Sequence, residues 1–131
     1  MKTVKTYKGK IEKLEPNQVF TFGSNTEGRH GKGSALTARL NFGAIYGCPQ
    51  GMQGQSFALI TKDLRKSIHP SRTQRQIMQQ IGQLYDFATK HPEMEFLVAY
   101  TGKGTNLNAY SSQEMANMFS FMEIPENIVF E

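Results

Sequence analysis

Asn25, Arg29 and His30 fall within one glycine-punctuated stretch, residues 23–34, which reads Gly-Ser-Asn-Thr-Glu-Gly-Arg-His-Gly-Lys-Gly-Ser. An asparagine amide both donates and accepts, so Asn25 suits a ribose hydroxyl or an amide. The Arg29 guanidinium can fork onto a phosphate, which a lysine does less specifically. His30 is able to act as a general acid or base near neutral pH, or to stiffen the loop by bonding to backbone. Gly23, Ser24, Gly31, Lys32 and Gly33 complete the candidate set, because glycine exposes backbone N–H groups next to the positive end of a following helix. A second stretch repeats the chemistry with Gly102, Lys103, Gly104, Thr105 and Asn106. Two such loops predict a ligand with more than one phosphate, and a phosphorylated nucleotide fits best. Neither loop is a Walker phosphate loop, since Gly31-Lys32 is followed by Gly33 rather than Ser or Thr. Nor is the dinucleotide fingerprint present, because no acid stands at a strand end to hold a ribose.

Each loop leaves an apolar, strand-like run, residues 19–22 and 96–100, and runs into a helical pattern. Further strands are predicted at residues 3–7, 57–61 and 128–130, and a short helical turn or connection at 11–14. Ser34 opens a helix with Leu36 and Leu40 four apart, Ala35, Ala38 and Phe42 alongside, and Gly43 to stop it. Residues 44–56, rich in Gly, Pro and Gln, read as a long binding loop or lid. Ser71 and Gln74 have capping-box spacing ahead of a helix whose inner face is Ile77, Ile81, Leu84, Tyr85 and Ala88. Ser111 and Glu114 repeat that spacing before Met115, Met118, Phe119 and Met122, which read as core filler. Strands alternating with helices predict an α/β domain with a mainly parallel sheet covered on both faces. Ligands then sit beyond the carboxyl ends of the strands, where both glycine loops lie.

The chain has 131 residues, which suits a single domain over 1–131, with ordinary apolar and charged content for a globular protein. Its net charge of +4 gathers largely in Lys62, Arg65, Lys66, Arg72 and Arg75. That cluster reads first as a solvated face, and second as a rim steering phosphorylated ligands or nucleic acid inward. The lone cysteine, Cys48, excludes an intramolecular disulfide and a cysteine-rich metal site and fits a reducing cytoplasm. Neither a secretory leader nor a membrane span is expected, so a cytoplasmic protein is. No cofactor and no membrane partner are expected.

The motifs resemble those of the macro domains, and more closely a compact macro-like family of bacteria and phages. The resemblance rests on Phe22-Gly23-Ser24-Asn25, then Gly28-Arg29-His30-Gly31-Lys32-Gly33 opening a helix. Phe42-Gly43-Ala44, the Gly51-Met52-Gln53-Gly54-Gln55-Ser56 run, Thr61-Lys62 and Tyr110-Ser111 extend it over most of the chain. It implies a three-layer macro-like domain that binds ADP-ribose or a related phosphorylated nucleoside. Asn25 would meet the distal ribose, Gly31 and Gly33 would admit one phosphate, and residues 102–106 would wrap the other side of the diphosphate. It also implies an alternative, an ADP-ribosyl hydrolase, with Asn25 positioning ribose or water and His30 or Arg29 stabilising charge. A basic nucleic-acid or protein-interaction module with a degenerate pocket is the third reading. The chain departs from the family at Gly9-Lys10-Ile11, where macro domains often have Gly-Asp-Ile with the Asp reading adenine. It departs again in a second loop about two residues longer than usual, and at Ala109, where glycine is expected.

Overall fold

A computed structural model describes residues 5–99 and 108–131. The chain forms β1 (Lys5–Thr6), β2 (Gln18–Asn25), α1 (Gly33–Asn41), β3 (Gly51–Gln53) and β4 (Ser56–Lys62). It continues through α2 (Gln74–Lys90), β5 (Glu95–Val98), α3 (Ser112–Phe119) and β6 (Ile128–Phe130). Six strands make one sheet in the order β1-β6-β5-β2-β4-β3. Every neighbouring pair is parallel except β3 with β4. The fold is therefore α/β, with a mostly parallel mixed sheet and three helices among the described residues.

Alternation along β2 separates two apolar layers. Val19 joins Phe57, Leu59, Phe96 and Val98 under α2 and α3, with Ile77, Ile81, Leu84, Met115 and Met118. Phe20 and Phe22 turn to the opposite face and pack with Ala35, Ala38, Phe42 and Ala58 under α1. A parallel sheet buries both faces, so β2 carries large apolar side chains on each.

The α2 face is the one the spacing predicts: Ile77, Ile81, Leu84, Tyr85 and Ala88 are all buried. Its capping box, however, is Thr73 with Gln76, two residues beyond the expected pair. Ser71 is engaged elsewhere, accepting from Asp63 N at 2.8 Å and lying 2.7 Å from His69 Nδ1. The Ser111–Glu114 box forms as its spacing predicts.

On α1 the buried face is Ala35, Ala38 and Phe42, whereas Leu40 is 67% exposed. Phe20 lies 4.9 Å from Phe42 and fills the layer, which leaves room for methyl-sized side chains on the helix. Residues 44–56 are not all loop, since β3 pairs with β4 in a hairpin. The hairpin turn is held by a backbone approach between Gly43 and Gly54. A Cβ on Gly54 would stand 2.6 Å from Gly43 O, and Gly54 has φ +59°. Residues 11–14 form no helix; Ile11 and Leu14 pack against the α1 layer from an irregular connection.

Candidate ligand-binding site

The parallel strands β2 and β4 end together, and their carboxyl ends floor a cleft of about 320 Å³. The register between them shifts at Ser24 and Asn25, a bulge of the kind that re-aims a side chain at a site. Gly23, Ser24, Asn25, Arg29, Gly31 and Lys32 line the cleft, facing Thr61, Lys62, Leu64 and Asn108. Most of the first-loop residues singled out in the sequence are thus brought to one place. Gly33 lines an adjoining cleft of about 380 Å³, with Ser34, Thr37, Lys10, Ile11 and Phe20. The first turn of α1 is therefore shared between two recesses. A larger recess of about 460 Å³ lies near the end of α2 and residues 123–127, and no sequence-predicted site residue lines it.

Asn25 is 8% exposed, and its amide is committed first to the loop. Its oxygen accepts from Glu27 N at 3.2 Å and Arg29 N at 2.9 Å, and its nitrogen donates to Arg29 O at 2.9 Å. One amide hydrogen remains for an acceptor in the cleft. Gly28, at the loop's apex, has φ +66° and sits against the Gly47–Cys48 backbone, where a Cβ would lie 2.6 Å from Cys48 N. Gly47 N donates to Gly28 O at 2.8 Å, which fastens this contact.

His30 points away from the cleft. Its ring is fully buried, edge-on to Phe22 at 5.1 Å. Its Nε2 lies 3.2 Å from Cys48 O and 3.3 Å from Gln53 Oε1. Both partners are acceptors, and Gln53 Oε1 also accepts from Ile45 N, so Nε2 carries a proton and donates to them. Nδ1 has no partner among the described residues. His30 thus ties the first loop to the β3 hairpin from beneath.

Two further features shape the cleft. Asn108 is 3% exposed and lines the wall opposite the first loop. Its oxygen accepts from Tyr110 N at 2.9 Å, while its amide nitrogen has Met115 Sδ at 3.5 Å, a weak acceptor. Tyr110 in turn donates to Arg72 O at 2.6 Å, and burial raises its hydroxyl's pKa. The other feature is the bare end of α1. Lys32 is its N-cap, with no side-chain cap and no acid in the first turn, whereas α2 and α3 both carry complete capping boxes. Its first-turn N–H groups are oriented for an anion.

The charged groups on the described lining of the first cleft are Arg29, Lys32 and Lys62, all cations. Asp63 follows directly but is neutralised by Arg65, whose side chain and backbone N–H hold its carboxyl far below the usual carboxylate range. Gly102, Lys103, Gly104, Thr105 and Asn106 lie outside the described residues. Their flanks do not: Ala99 lines the second cleft and Asn108 the first. Among the described residues no group of His, Cys, Asp or Glu could hold a metal ion. None of the described helices is long and apolar enough to cross a membrane. No protein-family model, curated protein or solved structure matches this chain.

Proposed function

We propose that the protein is a macro-like module binding ADP-ribose or a related phosphorylated nucleoside. The observation that carries this reading is the uncapped first turn of α1 standing between two clefts, with Arg29, Lys32 and Lys62 around the first. A ligand with a diphosphate at its centre and a sugar or nucleoside at each end matches that division. The phosphates take the helix N-terminus and the cations. The distal ribose takes the first cleft, where Asn25 keeps one N–H and the Asn108 amide nitrogen has, among the described residues, only the Met115 thioether. The base takes the second cleft, where Lys10 presents a donor rather than an acceptor. Lys10 favours a base edge with a carbonyl oxygen over the adenine amino group.

Binding is preferred to hydrolysis because His30, the proton-transfer candidate of the sequence, faces the interior. The test is calorimetric titration with ADP-ribose beside a Gly31→Leu variant. A Cβ on Gly31 meets nothing within 4 Å and its φ is ordinary, so the variant folds but fills the cleft. One-to-one binding that this variant abolishes supports the reading. Silence of the wild type toward ADP-ribose and its uridine and guanosine counterparts refutes it.

A further inference from the structure

Residues 62–75 hold five of the chain's fifteen lysines and arginines and one of its eleven acids. Their balance equals the +4 of the whole chain, so the remaining residues are neutral in sum. The one acid does not offset its neighbours at the surface. Asp63 is 4% exposed, and its carboxylate accepts from Arg65 Nε at 3.0 Å and Nη2 at 2.9 Å. That leaves Lys62, Lys66, Arg72 and Arg75, with no carboxylate paired to them among the described residues.

This segment is fixed against the cleft wall. Thr26 N donates to Lys62 O at 3.0 Å, and Leu64 N donates to Thr26 Oγ1 at 3.1 Å. Asp63 N donates to Ser71 Oγ, and Arg72 O takes the Tyr110 hydroxyl beside Asn108. Lys62 and Leu64 line the cleft themselves. The entire net charge of the protein therefore lies on one ordered flank that begins inside the cleft and leads outward.

We infer that this flank binds the phosphodiester backbone of a single-stranded nucleic acid, with the strand's end leading into the cleft. A cluster of cations free of paired carboxylates among the described residues suits the repeated phosphates of a strand. The cleft is a recess beyond the strand ends of the sheet, and a nucleotide stacked in a duplex does not enter such a recess without being flipped out. That the cleft holds the terminal nucleotide rests on the ligand reading above; backbone binding by the flank does not.

The test is fluorescence anisotropy of labelled oligothymidylate and oligouridylate, titrated with the protein across a salt series. Four phosphates neutralised on a single strand give a log–log salt slope of about −3. Lys66→Glu with Arg75→Glu, neither lining the cleft, lowers strand affinity at least tenfold and flattens the slope by about half. Melting temperature and calorimetric affinity for free ADP-ribose stay at wild-type values. No strand binding at low salt, wild-type affinity in the double variant, tighter binding to duplex, or equal competition by polyglutamate each overturns the inference. Strand binding without binding of ADP-ribose or its uridine and guanosine counterparts would leave the flank standing and remove the ligand reading. ADP-ribose binding without strand binding would do the reverse.

Discussion

Asn25 and Asn108 line the same cleft, and each has its side-chain oxygen engaged by backbone N–H groups of the chain. That engagement predicts what an isosteric change does. Asn108→Asp retains the acceptor for Tyr110 N but replaces the donor with a carboxylate facing an anionic ligand. Calorimetry should show at least a tenfold loss of ADP-ribose affinity, and the melting temperature should fall as well, because the new carboxylate is 3% exposed with one oxygen against the Met115 sulfur. An unchanged affinity would place Asn108 in the scaffold alone. Asn25 was legible in the sequence because it follows a strand in a glycine loop. Asn108 was not, since its meaning depends on Met115 and Tyr110 folding back beside it. The direction of His30 was equally hidden. Its partners, Cys48 and Gln53, lie 18 and 23 residues away, beyond any local pattern.

At the scale of elements, α1 begins between the two clefts and is the one described helix without a capping box. Lys32→Asp supplies the missing cap and should stabilise the fold by about 1 kcal/mol, raising the melting temperature by a few degrees. With the phosphates at this helix end, as proposed, the added negative charge should lower ligand affinity as stability rises. A variant gaining both would show that the helix N-terminus is not where the anion sits. Ala109, at φ +72°, adopts a conformation that favours glycine, just ahead of the α3 cap. Ala109→Gly should gain up to about 1 kcal/mol in denaturant unfolding, and a loss would mean the alanine methyl is making a contact. The helices α2 and α3 were legible because their periodicity and caps agree. The α1 helix was legible too, and its buried face is the alanines with Phe42 rather than the leucines, since two phenylalanines of β2 fill the layer. The β3 strand was hidden by its length of three residues and its Gly- and Gln-rich setting.

For the whole molecule, buried and paired groups set the pH range of stability. Asp63, held low by Arg65, contributes stability that is present above the ordinary carboxylate pKa of about 4 and lost as pH falls below it. Tyr85, buried and donating to Phe119 O, has its pKa raised by desolvation, and Tyr7 by burial together with Glu131. Their contribution is present below about pH 10 and lost as pH rises beyond it, because the unfolded tyrosines ionise first. Thermal melts should thus fall off at both ends, and Asp63→Asn should flatten only the acid limb. A variant as acid-sensitive as wild type would assign that limb elsewhere. The α/β class and the cleft at the carboxyl ends of the strands followed from alternating periods in the sequence. The placing of two clefts on either side of the α1 N-terminus needed the three-dimensional arrangement. The most direct test of the central claim is calorimetric titration of the wild-type protein with ADP-ribose, alongside Gly31→Leu. One-to-one binding by the wild type, lost in a variant that melts at the wild-type temperature, is the result this account predicts. No heat from the wild type with ADP-ribose or its uridine and guanosine counterparts, or equal binding by the variant, would contradict it.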